Sequence, residues 1–316
     1  APVARTPAKA PGAAAPRTAV LTAGGGQWLT GSAAQALAGS RHYGLYLPPA
    51  AGRATPAVPL LVMLHGCGQD AAGFAASTRM NRVAASAGFA VLYPEQDRRA
   101  NRQGCWNWFD TSTGRAQAEA ALLMAMIDQV CRRHRLDRSR VAVAGLSAGA
   151  SMAALLATRY PERFKAVVMH SGVPPGSARS GLSALAAMRG HRPLHRAAGR
   201  AMATSAGGLP QRWPPLLAIH GDADGVVAAS NAHDAVALWA GTADVSVSPP
   251  RTLQRGQRYP MQVTDHRQHG QLVAQQVSIA GLGHAWSGGA SRWPFGDPAG
   301  PDASRLLWRF VAAHLG

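Results

Sequence analysis

The sequence predicts an α/β fold, a mostly parallel sheet with helices on both faces, built as a single domain. Three observations lead there. Five apolar runs of strand length occur along the chain, PLLVMLHG (59–66), FAVLYPEQ (89–96), RVAVAGLS (140–147), FKAVVMHSG (164–172) and PLLAIHGDAD (215–224). Segments with helical spacing lie between several of them. The runs are continuous instead of alternating, as strands buried on both faces require. With 316 residues and 47% hydrophobic content, the chain can bury one large core.

Taken in order, the first 17 residues are Pro/Ala-rich and aperiodic, and 1–17 is expected to be a disordered leader or linker before a catalytic-sized unit over 18–316. Ala1 in place of an initiator methionine fits a removed targeting segment. RHYGLYLPP (41–49) alternates and ends at Pro-Pro, an early strand. After PLLVMLHG comes a helical segment, STRMNRVAASAG (77–88), then FAVLYPEQ, a polar loop containing GCWNWFD, and a long helix from about Arg115 to His134. RVAVAGLS leads into a helix starting near Ala148, and FKAVVMHSG follows it. The stretch 174–214 has little strand character and is a candidate cap or lid insertion. RYPMQVTDHRQHGQLVAQQVSIAG (258–281) reads as two strands joined at His269-Gly270, and DASRLLWRFVAAHLG as a final helix with Asp302 at its N-cap. No run of about 18 or more apolar residues occurs, so no membrane span is expected.

The net charge of +17 raises the question of nucleic acid. Only Lys9 and Lys165 are lysine, and the arginines are scattered instead of clustered with aromatics, so no nucleic-acid partner is expected. No CxxC or His-rich spacing points to a metal, and no cofactor is expected. Of three cysteines, Cys67 and Cys105 lie in Gly-containing loops, whereas Cys131 sits in a helical run as a buried apolar thiol. A Cys67–Cys105 disulfide is the preferred pairing, and it fits an oxidising compartment, secreted or periplasmic.

In parallel sheets ligands bind at the carboxyl ends of strands, and here those ends carry unusual polar residues. Gly145-Leu146-Ser147-Ala148-Gly149 is a G-x-S-x-G pattern with strand before it and helix after it. Two glycines relieve the sharp turn, so Ser147 is projected as a candidate nucleophile; the plainer alternative is a tight turn with a helix cap. A serine needs a base, and among twelve histidines His284, in the Gly-rich loop GLGHAWSGG, is the best candidate. The base needs a carboxylate. HGDADG offers Asp222 and Asp224, of which Asp224 is favoured, although either can close an Asx-turn. Acyl transfer also needs fixed N–H donors for the developing oxyanion. The backbone N–H groups of Ala148 and of Cys67, in the HGCG turn, are the expected pair. His65 is a rival base, but beside Gly66 a turn-shaping role is preferred.

With these loops in place, the chain resembles the polyhydroxybutyrate depolymerase family of α/β-hydrolase esterases. The resemblance rests on LHGCGQD, GCWNWFD, VAVAGLSAGASMA, HGDADGVV, GLGHAWSGG and DPAGPDASRLLWRF, in that order, and covers most of the chain from about Tyr43. It implies an α/β-hydrolase fold, a triad of Ser147, Asp224 and His284, and a bridge between Cys67 and Cys105 that ties the oxyanion turn to the tryptophan loop. It also implies hydrolysis of short-chain polyhydroxyalkanoates, with feruloyl and acetyl-xylan esterases as relatives and their esters as the alternative substrates. Many members carry a separate polymer-binding module. The chain ends after its last helix, so soluble oligomers and simple esters are also expected substrates. Trp286, Trp108 and Trp106, on or beside the site loops, are candidates for contact with an acyl chain, Trp286 foremost; for Trp106 and Trp108 burial as structural aromatics is the equal alternative. A non-catalytic surface-binding protein is the remaining alternative from another class.

Overall fold

The computed structural model describes residues 21–49, 57–191, 212–241 and 245–316. The leader 1–17 and the 192–211 part of the candidate cap lie outside these residues. One mixed sheet dominates. Its strands are β1 (Gln27–Gln35), β2 (Gly39–Leu47), β3 (Leu60–Leu64), β4 (Ala90–Pro94), β5 (Val141–Leu146), β6 (Val167–His170), β7 (Leu216–Gly221), β8 (Val245–Val247), β9 (Arg251–Leu253), β10 (Met261–Gln268) and β11 (Gln271–Ile279). The order across the sheet is β1-β2-β4-β3-β5-β6-β7-β11-β10-β8, with β9 also pairing β10. The five pairs from β4 to β11 are parallel, and antiparallel hairpins close both ends. Two short strands, β12 (Trp286–Ser287) and β13 (Gly296–Asp297), pair separately.

The helices are α1 (Ala71–Thr78), α2 (Met80–Ala87), α3 (Arg115–His134), α4 (Ala148–Arg159), α5 (Gly181–Met188), α6 (Ser230–Ala240) and α7 (Ala303–Ala312). Alternate residues of the central strands feed two cores. Leu60, Val62 and Leu64 pack with α3 to α6 on one face. Leu61 and Met63 pack with α1, α2 and α7 on the other. Both faces are covered, which is why these strands are apolar without alternation. α5 lies in the described part of the candidate cap, and its Leu182 and Leu185 are exposed.

Local chemistry sets the ends of these elements. Asp70 caps α1 by accepting the Gly73 N–H at 2.6 Å, and Asp302 caps α7 by accepting the Arg305 N–H at 3.0 Å. The single helical segment expected over 77–88 is the end of α1 and the whole of α2, separated where Arg79 turns left-handed at φ 56°. His269 and Gly270 have φ of 48° and 76°, the positive values a two-residue hairpin turn requires. β1 is an element the sequence reading left out. Its Gly31 lies beneath the Tyr43 ring of the opposing strand, so a neighbour's side chain fills the place its own residue leaves empty.

Candidate active site

Because β3, β5, β6, β7 and β11 run parallel, their carboxyl ends lie along one edge. That edge carries the HGCG turn, Ser147, His170, the Asp224 loop and the His284 loop.

Ser147 leaves β5 at φ 56° and ψ −122°, a backbone that residues with a Cβ rarely adopt. The surrounding glycines explain how it is held. A Cβ on Gly145 would lie 2.3 Å from the Gly149 carbonyl carbon, and one on Gly149 would lie 2.1 Å from the Leu64 oxygen. The elbow therefore closes only because the two glycines press on each other and on the end of β3. The Ser147 N–H donates to the His170 carbonyl at 2.9 Å, which ties the elbow to β6. Ala148 is the first residue of α4, so its N–H has no partner within the helix.

Across from the elbow, the HGCG turn is fixed at several points. The Gly66 N–H donates to Gln69 Oε1 at 2.8 Å and is thereby engaged, whereas among the described residues no backbone hydrogen bond uses the Cys67 N–H. Gly66 sits so near the elbow that a Cβ there would be 3.6 Å from Ser147 Cβ. Cys67 is bonded to Cys105 in a disulfide, while Cys131 is free and buried, with its thiol pushed up to about 11 by burial. The Gly68 N–H donates to the Gln103 carbonyl at 2.9 Å, and the Trp106 indole N–H to the His65 carbonyl at 3.1 Å.

His65 is fully buried with both ring nitrogens occupied. The Gln96 N–H donates to Nε2 at 3.1 Å, so the proton resides on Nδ1 and is donated to the Gly66 carbonyl at 2.7 Å. Burial lowers its pKa. It shapes the turn and has no nitrogen left to serve as a base.

Asp224 and His284 meet on the neighbouring loops. His284 Nδ1 lies 2.8 Å from Asp224 Oδ2 and donates to it, which leaves Nε2 as the basic nitrogen. The other Asp224 oxygen accepts the N–H groups of Val226 and Val227, both at 2.9 Å. His220 adds its Nε2–H, 2.9 Å from the Val227 carbonyl and 3.3 Å from Asp224 Oδ2. Burial would raise the Asp224 pKa, but hydrogen bonds from His220, His284 and Val227 outweigh it and hold the carboxyl well below the usual carboxylate range. Asp222 has a different task. It accepts the Gly281 N–H at 2.7 Å and anchors the loop that carries His284. Gly221 permits that docking, since a Cβ there would lie 2.0 Å from the Leu282 oxygen.

His170 occupies the buried centre of this edge. Its carbonyl holds the elbow, and its Nε2 accepts the Ser287 N–H at 3.2 Å. Burial, followed by the neighbouring imidazoles of His220 and His284, lowers its pKa to about 3, so the ring stays neutral.

Comparison with known proteins agrees with this architecture. The family described as Esterase PHB depolymerase matches residues 41–242, well over half of the chain. The chain belongs to that family. Ser147 and Asp224 lie within the matched region, and His284 lies beyond it. Poly(3-hydroxyalkanoate) depolymerase C of Paucimonas lemoignei is 32% identical over 72% of this chain and 54% of its own length. Feruloyl esterase B of Neurospora crassa is 30% identical over 60% of this chain and 66% of its own. The chain thus spans between half and two thirds of these relatives. Among solved structures, an acetyl xylan esterase from Aspergillus awamori superposes with a TM-score of 0.64 at 20% identity, over 77% of this chain and 89% of that one. An S-formylglutathione hydrolase from Agrobacterium tumefaciens superposes with a TM-score of 0.60 at 17% identity, over 93% and 98%. The fold is that of the α/β-hydrolase esterases.

For this esterase-family chain the expectation for Trp286 needs correction, while Trp106 and Trp108 follow their alternative of burial as structural aromatics. Trp286 is 0% exposed, stacked on His170 with centroids 5.1 Å apart and edge-on to Phe74, and its indole N–H donates to Ser304 at 3.1 Å. Trp106 is also 0% exposed and bonded to the His65 carbonyl. Neither ring is open to an acyl chain; proximity to a site loop in sequence did not reveal that both side chains point into the core. Trp108 keeps 7% exposure, edge-on to Phe109, and is also mainly a packing residue.

Two features around the site escaped the sequence reading. One is His220, the second imidazole on Asp224. The other is a buried polar group of Arg41, Gln96, Asn107 and Glu119 behind the tryptophan loop. A signal for the latter exists: Glu119 falls on the buried helical stripe with Ala116, Leu123 and Ile127, and Arg41 alternates with Tyr43 and Leu45 on a core-facing strand.

Proposed function

We propose that this chain is a serine esterase that cleaves ester bonds of short-chain polyhydroxyalkanoates, such as poly(3-hydroxybutyrate) or its oligomers, through an acyl-enzyme. The observation that carries the reading is the 2.8 Å contact of His284 Nδ1 with Asp224 Oδ2 on the sheet edge that also bears the Ser147 elbow. Ser147 Oγ attacks the ester carbonyl while His284 Nε2 takes its proton, and the developing imidazolium is held by Asp224. The carbonyl oxygen, now negative, is received by the N–H groups of Cys67 and Ala148. His284 then protonates the departing alkoxide, and water releases the hydroxy acid by the same steps in reverse order. The polyester is favoured because the relative with the highest identity among those named is a poly(3-hydroxyalkanoate) depolymerase. The disulfide supports folding in an oxidising compartment, secreted or periplasmic.

A second substrate reading, feruloyl or acetyl-xylan esters of plant cell walls, has support from the feruloyl esterase and from an acetylxylan esterase of Emericella nidulans, 26% identical over 62% of this chain. Release of hydroxybutyrate from oligomers, compared with release of acetate and ferulate from their esters, ranks the two. In either case Ser147→Ala is expected to abolish turnover, and equal release by variant and wild type would refute the serine mechanism.

A further inference from the structure

We infer that Glu119 is a positioning residue for ester hydrolysis, holding the Cys67 oxyanion turn from behind and sharing that task with the Cys67–Cys105 disulfide. This rests on the serine esterase reading above.

The carboxylate projects from α3 into the core and is 2% exposed. Its Oε1 accepts from Gln96 Nε2 and Asn107 Nδ2, both at 2.7 Å, and from Arg41 Nη2 at 3.1 Å. Its Oε2 accepts the Asn107 backbone N–H at 2.9 Å. Four donors from three separate segments thus converge on one carboxylate, and none of them is on α3. A charge with such partners is a rigid anchor, because each donor it released would be left buried and unpaired.

Each donor leads towards the oxyanion turn. Gln96 Nε2 also holds the Cys105 carbonyl at 2.9 Å, and its Oε1 accepts Arg41 Nε at 2.6 Å. The Gln96 backbone N–H meets His65 Nε2, and His65 Nδ1 holds the Gly66 carbonyl, which shares a single planar peptide unit with the Cys67 N–H. Asn107 follows Trp106, whose indole holds the His65 carbonyl. The Cys67 N–H is therefore fixed along two routes. One is covalent, through Sγ to Cys105. The other is the hydrogen-bonded path from Glu119 through Gln96 and His65. Two routes to one amide give redundancy, and cutting either should allow only part of the displacement that cutting both allows.

Arg41 and Glu119 are both buried, so removing one charge alone can unfold the protein. The experiment accordingly uses two forms: Glu119→Gln, whose amide would face the Asn107 N–H donor to donor, and the paired change Arg41→Met with Glu119→Leu, which removes both charges in similar volume. Each is made with and without Cys105→Ala, which opens the disulfide but keeps the Cys67 N–H. Steady-state kinetics on p-nitrophenyl butyrate and thermal melts are read for all.

The expected result is a drop in kcat of about 10-fold for the Glu119 change alone, with KM within about twofold, in whichever form stays folded. Combined with Cys105→Ala, the loss should exceed the product of the two single losses. The inference is overturned if folded Glu119 variants keep the wild-type kcat, if only KM moves, or if the combined loss equals the product. An inactive wild type would refute the esterase reading instead, and Ser147→Ala distinguishes enzyme turnover from background.

Discussion

Acidification is predicted to destabilise the fold through His170. The ring is fully buried at the end of β6, stacked on Trp286, with its pKa lowered to about 3 by burial and by the nearby imidazoles of His220 and His284. In the unfolded chain the same ring titrates at about 6.5. Between these values the unfolded state binds a proton that the native state refuses, so stability is present above about pH 6.5 and is lost as pH falls. Each unit is worth about 1.4 kcal/mol, so this one ring removes on the order of 3 kcal/mol between pH 7.5 and pH 4.5. Asp224 has the opposite kind of group but the same sign. Its depressed pKa confers stability above the ordinary carboxylate range, and that is lost only at still lower pH. The assay is urea denaturation at the two pH values for wild type and His170→Gln, whose side-chain oxygen can accept the Ser287 N–H without titrating. His65, also lowered by burial, contributes equally to both proteins, so the difference between them isolates His170. The variant is expected to lose about 3 kcal/mol less than wild type on acidification. Equal losses would refute the reasoning.

Three further outcomes follow from the same geometry. Asp224→Asn must place an amide N–H against donors, whichever way it turns, since all four of its near partners donate. Ester hydrolysis should fall in kcat by about four orders of magnitude with the fold intact by circular dichroism. Gly149→Ala puts a Cβ 2.1 Å from the Leu64 oxygen and 2.5 Å from the His65 oxygen, both backbone atoms that cannot yield easily. Burst titration should count fewer competent sites, and kcat should drop at least about 100-fold. Trp286→Ala empties a fully buried site and should cost about 3–5 kcal/mol in urea unfolding, while KM for small esters in the protein that remains folded stays unchanged. A rise in KM without loss of stability would restore Trp286 as a substrate contact.

The parallel sheet was legible because its strands are continuous apolar runs stopped by glycine, and α3 because its helical spacing persists over 20 residues. The elbow was legible because steric need is written into residue identity: Gly145 and Gly149 stand where a Cβ meets backbone. That Asp222 and Asp224 stand at one strand end was also within reach, whereas which of them faces His284 depends on how two distant loops pack. β1 was not legible, for its sequence QWLTGSAAQ is small and polar, and its pairing depends on Tyr43 and Trp28 filling space above glycines on the opposite strand. The break between α1 and α2 was hidden because Arg79, with no glycine to announce it, takes the left-handed turn. Trp286 was misplaced because a motif fixes which loop a residue is on, and the direction of its side chain depends on His170 and Phe74, far away in sequence. Glu119 and Arg41 were passed over for the same reason: each looks like a surface charge until its periodicity is read against its neighbours.

The central claim is that Ser147 becomes acylated at the elbow. The direct measurement is acid quenching of the wild type during turnover of p-nitrophenyl butyrate, followed by intact-mass and peptide mass spectrometry. The account predicts a butyryl adduct on the peptide bearing Ser147, absent from Ser147→Ala. An adduct confined to another residue, or undiminished hydrolysis by Ser147→Ala, would contradict it.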